Sequence, residues 1–414
     1  MTEVNISEIK NREEMIRLLD GYSIERKEEL DQKKTKKGLV KSYLLETVDG
    51  FQDTKKTLSD ILTPFALELI QIDEGLYKVL NKNSGKYMGF LECFWEGRYL
   101  AFYSLELSKN IDKQVKDLVL LSPQLDHVWL SGWTFNILWE KVKELSNLNR
   151  FTRIVFEHES IFEIDSDTDE TDEDQIFEDE EEQIIFERRS SKIALVDKIG
   201  LLKDTLNKFQ ELYSPMYSIT QLRFPSPIAR GGHDFFHFGK ATNRSESFRD
   251  HRSHVLYVLK IYRELIKRTQ EIAWFSFEKV SIQKGGEFQK LIGAPLIVKF
   301  REPLNEETFN HFIISTFERV KNRFRLWGNP IRLGPKKVHI YGVDKHLWQP
   351  IFLEITDRHI VAIIPKGTCG NTVHRLVSNI QIYLDPAAEV TLGNKSYSEI
   401  AKDSSKEITY EQYK

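Results

Sequence analysis

Residues 76–105 read LYKVLNKNSGKYMGFLECFWEGRYLAFYSL. Three runs dense in aromatic and aliphatic residues, 76–80, 87–95 and 98–105, are parted by the turn-formers of 81–85 and by Glu96-Gly97. Apolar runs of this length joined by Asn- and Gly-bearing turns predict a small antiparallel meander.

Outward from the meander the periodicity changes. Upstream, residues 6–19 have helical spacing, and residues 33–37 read as a basic, flexible connection. Downstream, Ser131 precedes Phe135, Leu138, Val142 and Leu145, spaced by three and four as one buried helix face requires. Trp129, Trp133 and Trp139 cluster there. Such tryptophans usually pack in a core, although exposed ones stack on bases.

Strands are predicted at 151–157 and 184–196. A helix follows behind Asp197, with Ile199, Leu202, Leu206, Phe209 and Tyr213 on one stripe. Two more strands, 219–224 and 234–239, lead to a long helix after Ser247. Its inward face is Val255, Val258, Leu259, Tyr262, Leu265 and Ile266. Strands at 273–282 and 295–300, a helix capped by Asn305, strands at 338–341, 351–355 and 359–364, and a helix from Asn371 complete the pattern.

The expectation is an α+β protein. A chain of 414 residues exceeds what one core usually serves. The pattern divides it into an N-terminal meander with helices (1–150), a first α+β unit (151–270), a second (271–390) and a polar tail (391–414). Both C-terminal units read strand, strand, helix, strands, helix. A pseudo-two-fold duplication would produce that order, though the two halves share little residue-level similarity.

Formal net charge is −4, but it is unevenly placed. Between Glu157 and Glu187 stand sixteen acidic residues and no Lys or Arg. The stretch 164–183 within it is too charged and too poor in apolar residues to offset its ordering entropy, and is predicted to be a disordered loop. From Arg223 to Arg375 there are 26 basic and 14 acidic residues. A field of one sign concentrates polyanions, and nucleic acid is the expected one. An acidic loop beside it would compete for the same surface.

Two distant cysteines, Cys93 and Cys369, form no metal-ligand pattern and suit a reducing compartment. The charged N-terminus lacks the apolar core of a signal peptide, and no run approaches membrane-spanning length. A cytoplasmic location without membrane contact is therefore expected.

Two segments carry the candidate chemistry. The first runs from Arg230 through Gly231-Gly232-His233-Asp234 and His237 to Lys240, with Arg244, Arg249 and Arg252 close behind. Arg249, Arg252, Lys260 and Arg263 fall in one narrow stripe of the long helix. The second is the glycine-bearing loop of Thr368, Asn371, His374 and Arg375 at a helix start, where free amides favour anions. These eleven, from Arg230 to Arg375, are the expected phosphate contacts. His233, Asp234 and His237 form the alternative, a metal-dependent phosphoesterase or nuclease centre. Gly239-Lys240 lacks the rest of a P-loop, and no other hydrolase or kinase signature is present. The leading expectation is a non-enzymatic nucleic-acid-binding protein, for DNA or RNA, with neither cofactor nor metal. A subunit docking a protein partner is the third reading.

Overall fold

A computed structural model describes residues 5–32, 38–47, 54–159, 161, 191–212, 216–282, 286–319, 322–406 and 408–411. The acidic run 164–183 lies outside the described residues. Helices and two essentially antiparallel sheets make up the fold, about 39% helix and 35% strand, so the chain is α+β.

The chain opens with helix α1 (Arg12–Asp31), started at Asn11, whose side chain accepts from the Glu14 amide. Then come β1 (Lys41–Glu46), α2 (Thr54–Leu62), β2 (Leu67–Asp73), β3 (Leu76–Asn81), β4 (Lys86–Phe94), β5 (Tyr99–Ser104), α3 (Ser108–Leu121), β6 (Asp126–His127) and α4 (Gly132–Leu145). The middle supplies β7 (Phe151–His158), β8 (Ser191–Lys198), α5 (Ile199–Leu212), β9 (Ile219–Pro225), β10 (Gly232–Phe236), β11 (Lys240–Asn243) and the long α6 (Phe248–Ala273). The last part contains β12 (Trp274–Ile282), β13 (Gly286–Ile292), β14 (Leu296–Lys299), α7 (Glu306–Ile313), β15 (Leu326–Gly334), β16 (Lys337–Asp344), β17 (Gln349–Thr356) and β18 (His359–Pro365). It closes with α8 (Asn371–Tyr383), β19 (Glu389–Leu392), β20 (Lys395–Ser396) and α9 (Tyr397–Ser405).

The meander forms as the turns dictate, with β3, β4 and β5 paired in sequence. Its sheet runs on through residue 150. The order β2-β3-β4-β5-β1-β11-β10-β9-β7-β8 joins strands from both sides of that expected boundary, because β1 pairs with β11. The strand expected at 234–239 starts earlier and ends at Phe236, and a further strand, β11, follows from Lys240. The chain turns at Gly239, where φ is +74° and a Cβ would lie 2.7 Å from the Val128 carbonyl and 2.8 Å from that of Leu44.

A strand order does repeat, between residues 41–145 and 296–405 rather than between 151–270 and 271–390. In the first sheet β1 is followed by a helix and four meander strands, and it sits beside β5 and β6. In the second, β14 is followed by α7 and the meander β15-β16-β17-β18, and it sits beside β18 and β19. Both repeats read strand, helix, four strands, helix, strand. Element order along the chain hid this, because the middle unit is inserted between the copies.

The expected polar tail is structured over residues 391–406. β19 completes the second sheet, and α9 buries Tyr397, Ile400 and Ala401 behind a Ser396–Glu399 capping box.

Each repeat lays its two following helices on one sheet face. α2 and α3 cover Tyr43, Leu69, Val79, Leu91 and Phe102. α7 and α8 cover Val298, Ile340, Leu353 and Ile360. The other face of the first sheet is closed by α1, α4 and α6 around Leu44, Phe90 and Tyr103. The matching face of the second sheet carries exposed apolar side chains.

Candidate functional site

The open face of the second sheet follows from strand alternation. Side chains on a strand point to opposite sides in turn, so burial of Val338, Ile340, Ile351, Leu353, Ile355 and Ile360 under helices leaves their neighbours outward. Register then sets the rows. Asn329, Tyr341, Phe352 and Ile363 face one another across four strands. Ile331, His339, Glu354, Val361 and Ile297 form the next row. Trp327, Val343 and Pro350 lie on the other side of the first row. Trp327 is 51% exposed, Tyr341 64% and Phe352 37%. The Tyr341 and Phe352 rings meet edge to face, 5.6 Å between centroids.

Cationic and imidazole groups lie further along the same face, His339 one row from Tyr341 and the row of Lys337, His359 and Lys299 one row beyond it, on the side away from Trp327. Lys299 pairs in register with His359, and Lys337 with Thr356. Glu354 accepts from His339 at 2.7 Å and lies 2.8 Å from Lys337. Those two hydrogen bonds, Lys337 first, bring its carboxyl down to about 2. From Trp274 to Lys406 there are nineteen basic and thirteen acidic residues, so this part of the chain is net positive.

The expected phosphate contacts lie elsewhere, and most are spent inside the molecule. Lys240 is buried and donates to Asp112 at 2.8 Å. Arg244 donates to Asp234 at 2.7 Å. Arg249 binds Glu13, Arg252 forks onto the buried Glu92 at 2.7 and 2.8 Å, and Lys260 meets Glu411. The basic stripe of α6 therefore faces α1, β4 and the C-terminal segment. Asn371, His374 and Arg375 are buried because α8 is enclosed along its whole length, and Thr368 is buried in the turn before it, its hydroxyl donating to the Pro365 carbonyl. Only Arg230 and Arg263 of the eleven are exposed, and Arg263 lies over the Trp95 ring.

The second loop instead joins the repeats. Arg375 contacts both Asp126 and Asp344, and Arg325 lies 3.3 Å from Asp126. Burial opposes the charge of Asp126, but these two arginines outweigh it and hold the carboxyl below its usual range. Nearby, Arg98 binds Glu46, whose other oxygen accepts from Tyr262 at 3.2 Å. Burial nevertheless raises the Glu46 carboxyl. Burial likewise raises the Cys369 thiol well above its ordinary value, which favours the protonated form.

The alternative triad does not assemble. His233 and Asp234 are consecutive on β10 and point to opposite faces. Asp234 is gripped by Arg223 and Arg244. His237 lies past the end of the strand, its ring near Trp129 and Phe238. His233 turns instead toward α6, 2.8 Å from Asp250 and close to His251 and His254. The four-residue spacing of Asp250 and His254 on a readable helix was the signal for that grouping. Trp327 was hidden because Gly328, Pro330 and Gly334 mask β15, an edge strand where proline is tolerated.

Comparison with known proteins adds a family. The sequence pattern of the family described as MJECL33-like protein matches residues 3–399. The chain is 25% identical over 433 aligned positions to a protein of Methanocaldococcus jannaschii described as uncharacterized protein MJECL33, covering 95% of this chain and 96% of the relative. No solved structure matches.

Proposed function

We propose that this chain, which belongs to the MJECL33-like family, binds single-stranded nucleic acid on the open face of its second sheet. The observation that carries the reading is the grouping of Trp327, Tyr341 and Phe352, exposed on adjacent strands of a face that carries His339 in the next row and Lys337, His359 and Lys299 in the row after it. Antiparallel sheets that bind single strands use exposed aromatics as base platforms and cations for the backbone. Each stack contributes about 1–3 kcal/mol and tolerates sequence, so this is binding without catalysis. Two free, separated cysteines and the absence of any membrane-spanning helix among those described support a cytoplasmic setting for it.

Fluorescence anisotropy with labelled single-stranded RNA, single-stranded DNA and duplex tests it. Single strands should bind more tightly than duplex, Trp327→Ala and Tyr341→Ala should each weaken binding about tenfold, and Lys299→Ala should flatten the salt dependence by roughly 0.7. Binding that ignores all three substitutions would sink the proposal.

One observation favours a protein partner on the same face. Ile331, Val361, Ile363 and Ile297 are aliphatic, and the matching face of the first repeat is closed by α1 and α6. An oligonucleotide-indifferent protein that self-associates through Trp327, measured by light scattering, would move the function to that reading.

A further inference from the structure

Three elements bring nitrogen and oxygen ligands to one buried point. β10 supplies His233, α6 supplies Asp250 and His254 one turn apart, and the C-terminal segment supplies Tyr410. Candidate ligand atoms of His233, Asp250 and His254 all lie within 4.8 Å of one another, and all three residues are buried. His233 Nε2 is 2.8 Å from one Asp250 oxygen. The other oxygen is 3.5 Å from His254 Nδ1 and 2.9 Å from the Tyr410 hydroxyl. Tyr410 is in turn 3.3 Å from His254 Nδ1, which also donates to the Asp250 backbone carbonyl at 2.9 Å and gives up that bond if it ligates. Ligands around a tetrahedral zinc stand roughly 3.3 Å apart, given bonds of about 2.0–2.2 Å. Side-chain adjustment alone would draw these atoms around one ion.

Two further features distinguish this cluster from an ordinary hydrogen-bonded network. The other buried aspartates among the described residues each face arginine: Asp126 meets Arg375 and Arg325, Asp234 meets Arg223 and Arg244, and Asp344 shares Arg375. The partners of Asp250 are imidazoles and hydroxyls: His233, His254, Ser226 and Tyr410. A divalent cation would supply the positive charge that arginines supply elsewhere. The outer ring nitrogen of His233 is also engaged as a metal-bound histidine requires. His233 Nδ1 lies 3.3 Å from His251 Nδ1, and His251 Nε2 lies 2.7 Å from Ser42 Oγ. A proton on His233 Nδ1 passed to His251, and one on His251 Nε2 passed to Ser42, would fix the tautomer that leaves His233 Nε2 free to ligate.

We infer that His233, Asp250, His254 and Tyr410 form a structural zinc site that fastens the C-terminal segment to β10 and α6. Four protein ligands close the coordination sphere, so the ion is structural rather than catalytic. Its role is independent of the open sheet face.

The test is metal analysis of the full-length, tag-free protein. As purified, it should carry one zinc per chain by plasma mass spectrometry. After EDTA treatment, added Co2+ should produce the visible absorption of a tetrahedral nitrogen–oxygen site, and Zn2+ should displace it. Zinc should raise the melting midpoint, since it binds only the folded chain. His254→Gln should abolish uptake, and Tyr410→Phe should weaken it tenfold or more while keeping the fold by circular dichroism. If EDTA-treated wild-type protein, folded by the same measure, takes up neither Co2+ nor Zn2+ at micromolar excess, the inference fails. It fails equally if uptake is unaffected by both substitutions. Should His254→Gln not fold, the wild-type titration and Tyr410→Phe decide alone.

Discussion

The Arg375 guanidinium on α8 donates to the Asp126 carboxylate on β6, joining the second repeat to the first through an ion pair closed to solvent. Asp344 takes the other side of the same guanidinium, and Arg325 shares Asp126. Two buried arginines are thus matched by two buried aspartates. Neutrality, rather than any external anion, explains why these side chains are here.

Removing one member unbalances the set. Arg375→Met should cost about 3–5 kcal/mol, the usual effect of leaving a buried carboxylate without its partner. Urea unfolding reads it directly. A loss under about 1 kcal/mol would show that the pair does not hold the repeats together.

Arg252 separates scaffold from surface. Its fork onto Glu92, which is buried, makes it internal although it lies on a basic helix stripe. Arg252→Ala should destabilise by roughly 2–3 kcal/mol. In whatever fraction remains folded, the salt slope of oligonucleotide binding should stay at the wild-type value. A flattened slope would return α6 to the binding surface.

Acid should weaken the fold before carboxylates protonate. Burial holds the His374 imidazole down at about 3, and that of His346 at about 4, against an ordinary 6.5. Above pH 6.5 both states are neutral and the histidines contribute no slope. As pH falls through 6.5 the unfolded chain takes up protons that the folded chain refuses, so stability drops. For His374 the loss between pH 6.5 and 4.5 is about 2–3 kcal/mol. Asp126, depressed rather than raised, withdraws its stabilisation only below about pH 4. Urea midpoints at pH 7 and 4.5 should therefore diverge less in His374→Gln than in wild type. Equal divergence would assign the acid sensitivity elsewhere.

Gly239 is a backbone test. Its φ of +74° and the carbonyls of Val128 and Leu44 crowding its absent Cβ leave no room for a side chain. Gly239→Ala should cost at least about 2 kcal/mol. Thermal melting that matches wild type would mean that the turn re-forms without strain.

Much of the local structure was legible along the chain. Ser131, Ser247 and Asn305 each accept from the amide three residues on, at the helix starts their positions predict. The meander follows its turns, and Trp129 and Trp139 are core. β13 and β15 were not legible. One is a polar strand of a projecting hairpin, and the other is interrupted by glycine and proline.

By itself the sequence determined periodicity, caps, turns and the count of charges, since those depend on neighbours a few residues apart. Only the tertiary structure decided where the charges went. Arg252 meets Glu92 across 160 positions and Arg375 meets Asp126 across 249, and no local pattern encodes such pairings. The same holds for the site residues. A row of aromatics on one open sheet face, or four ligands from three elements, exists only once strand register and helix packing have brought distant residues together. A buried charge requires a partner wherever the fold places one, so a basic stretch of sequence became scaffold and an unmarked meander became the exposed surface.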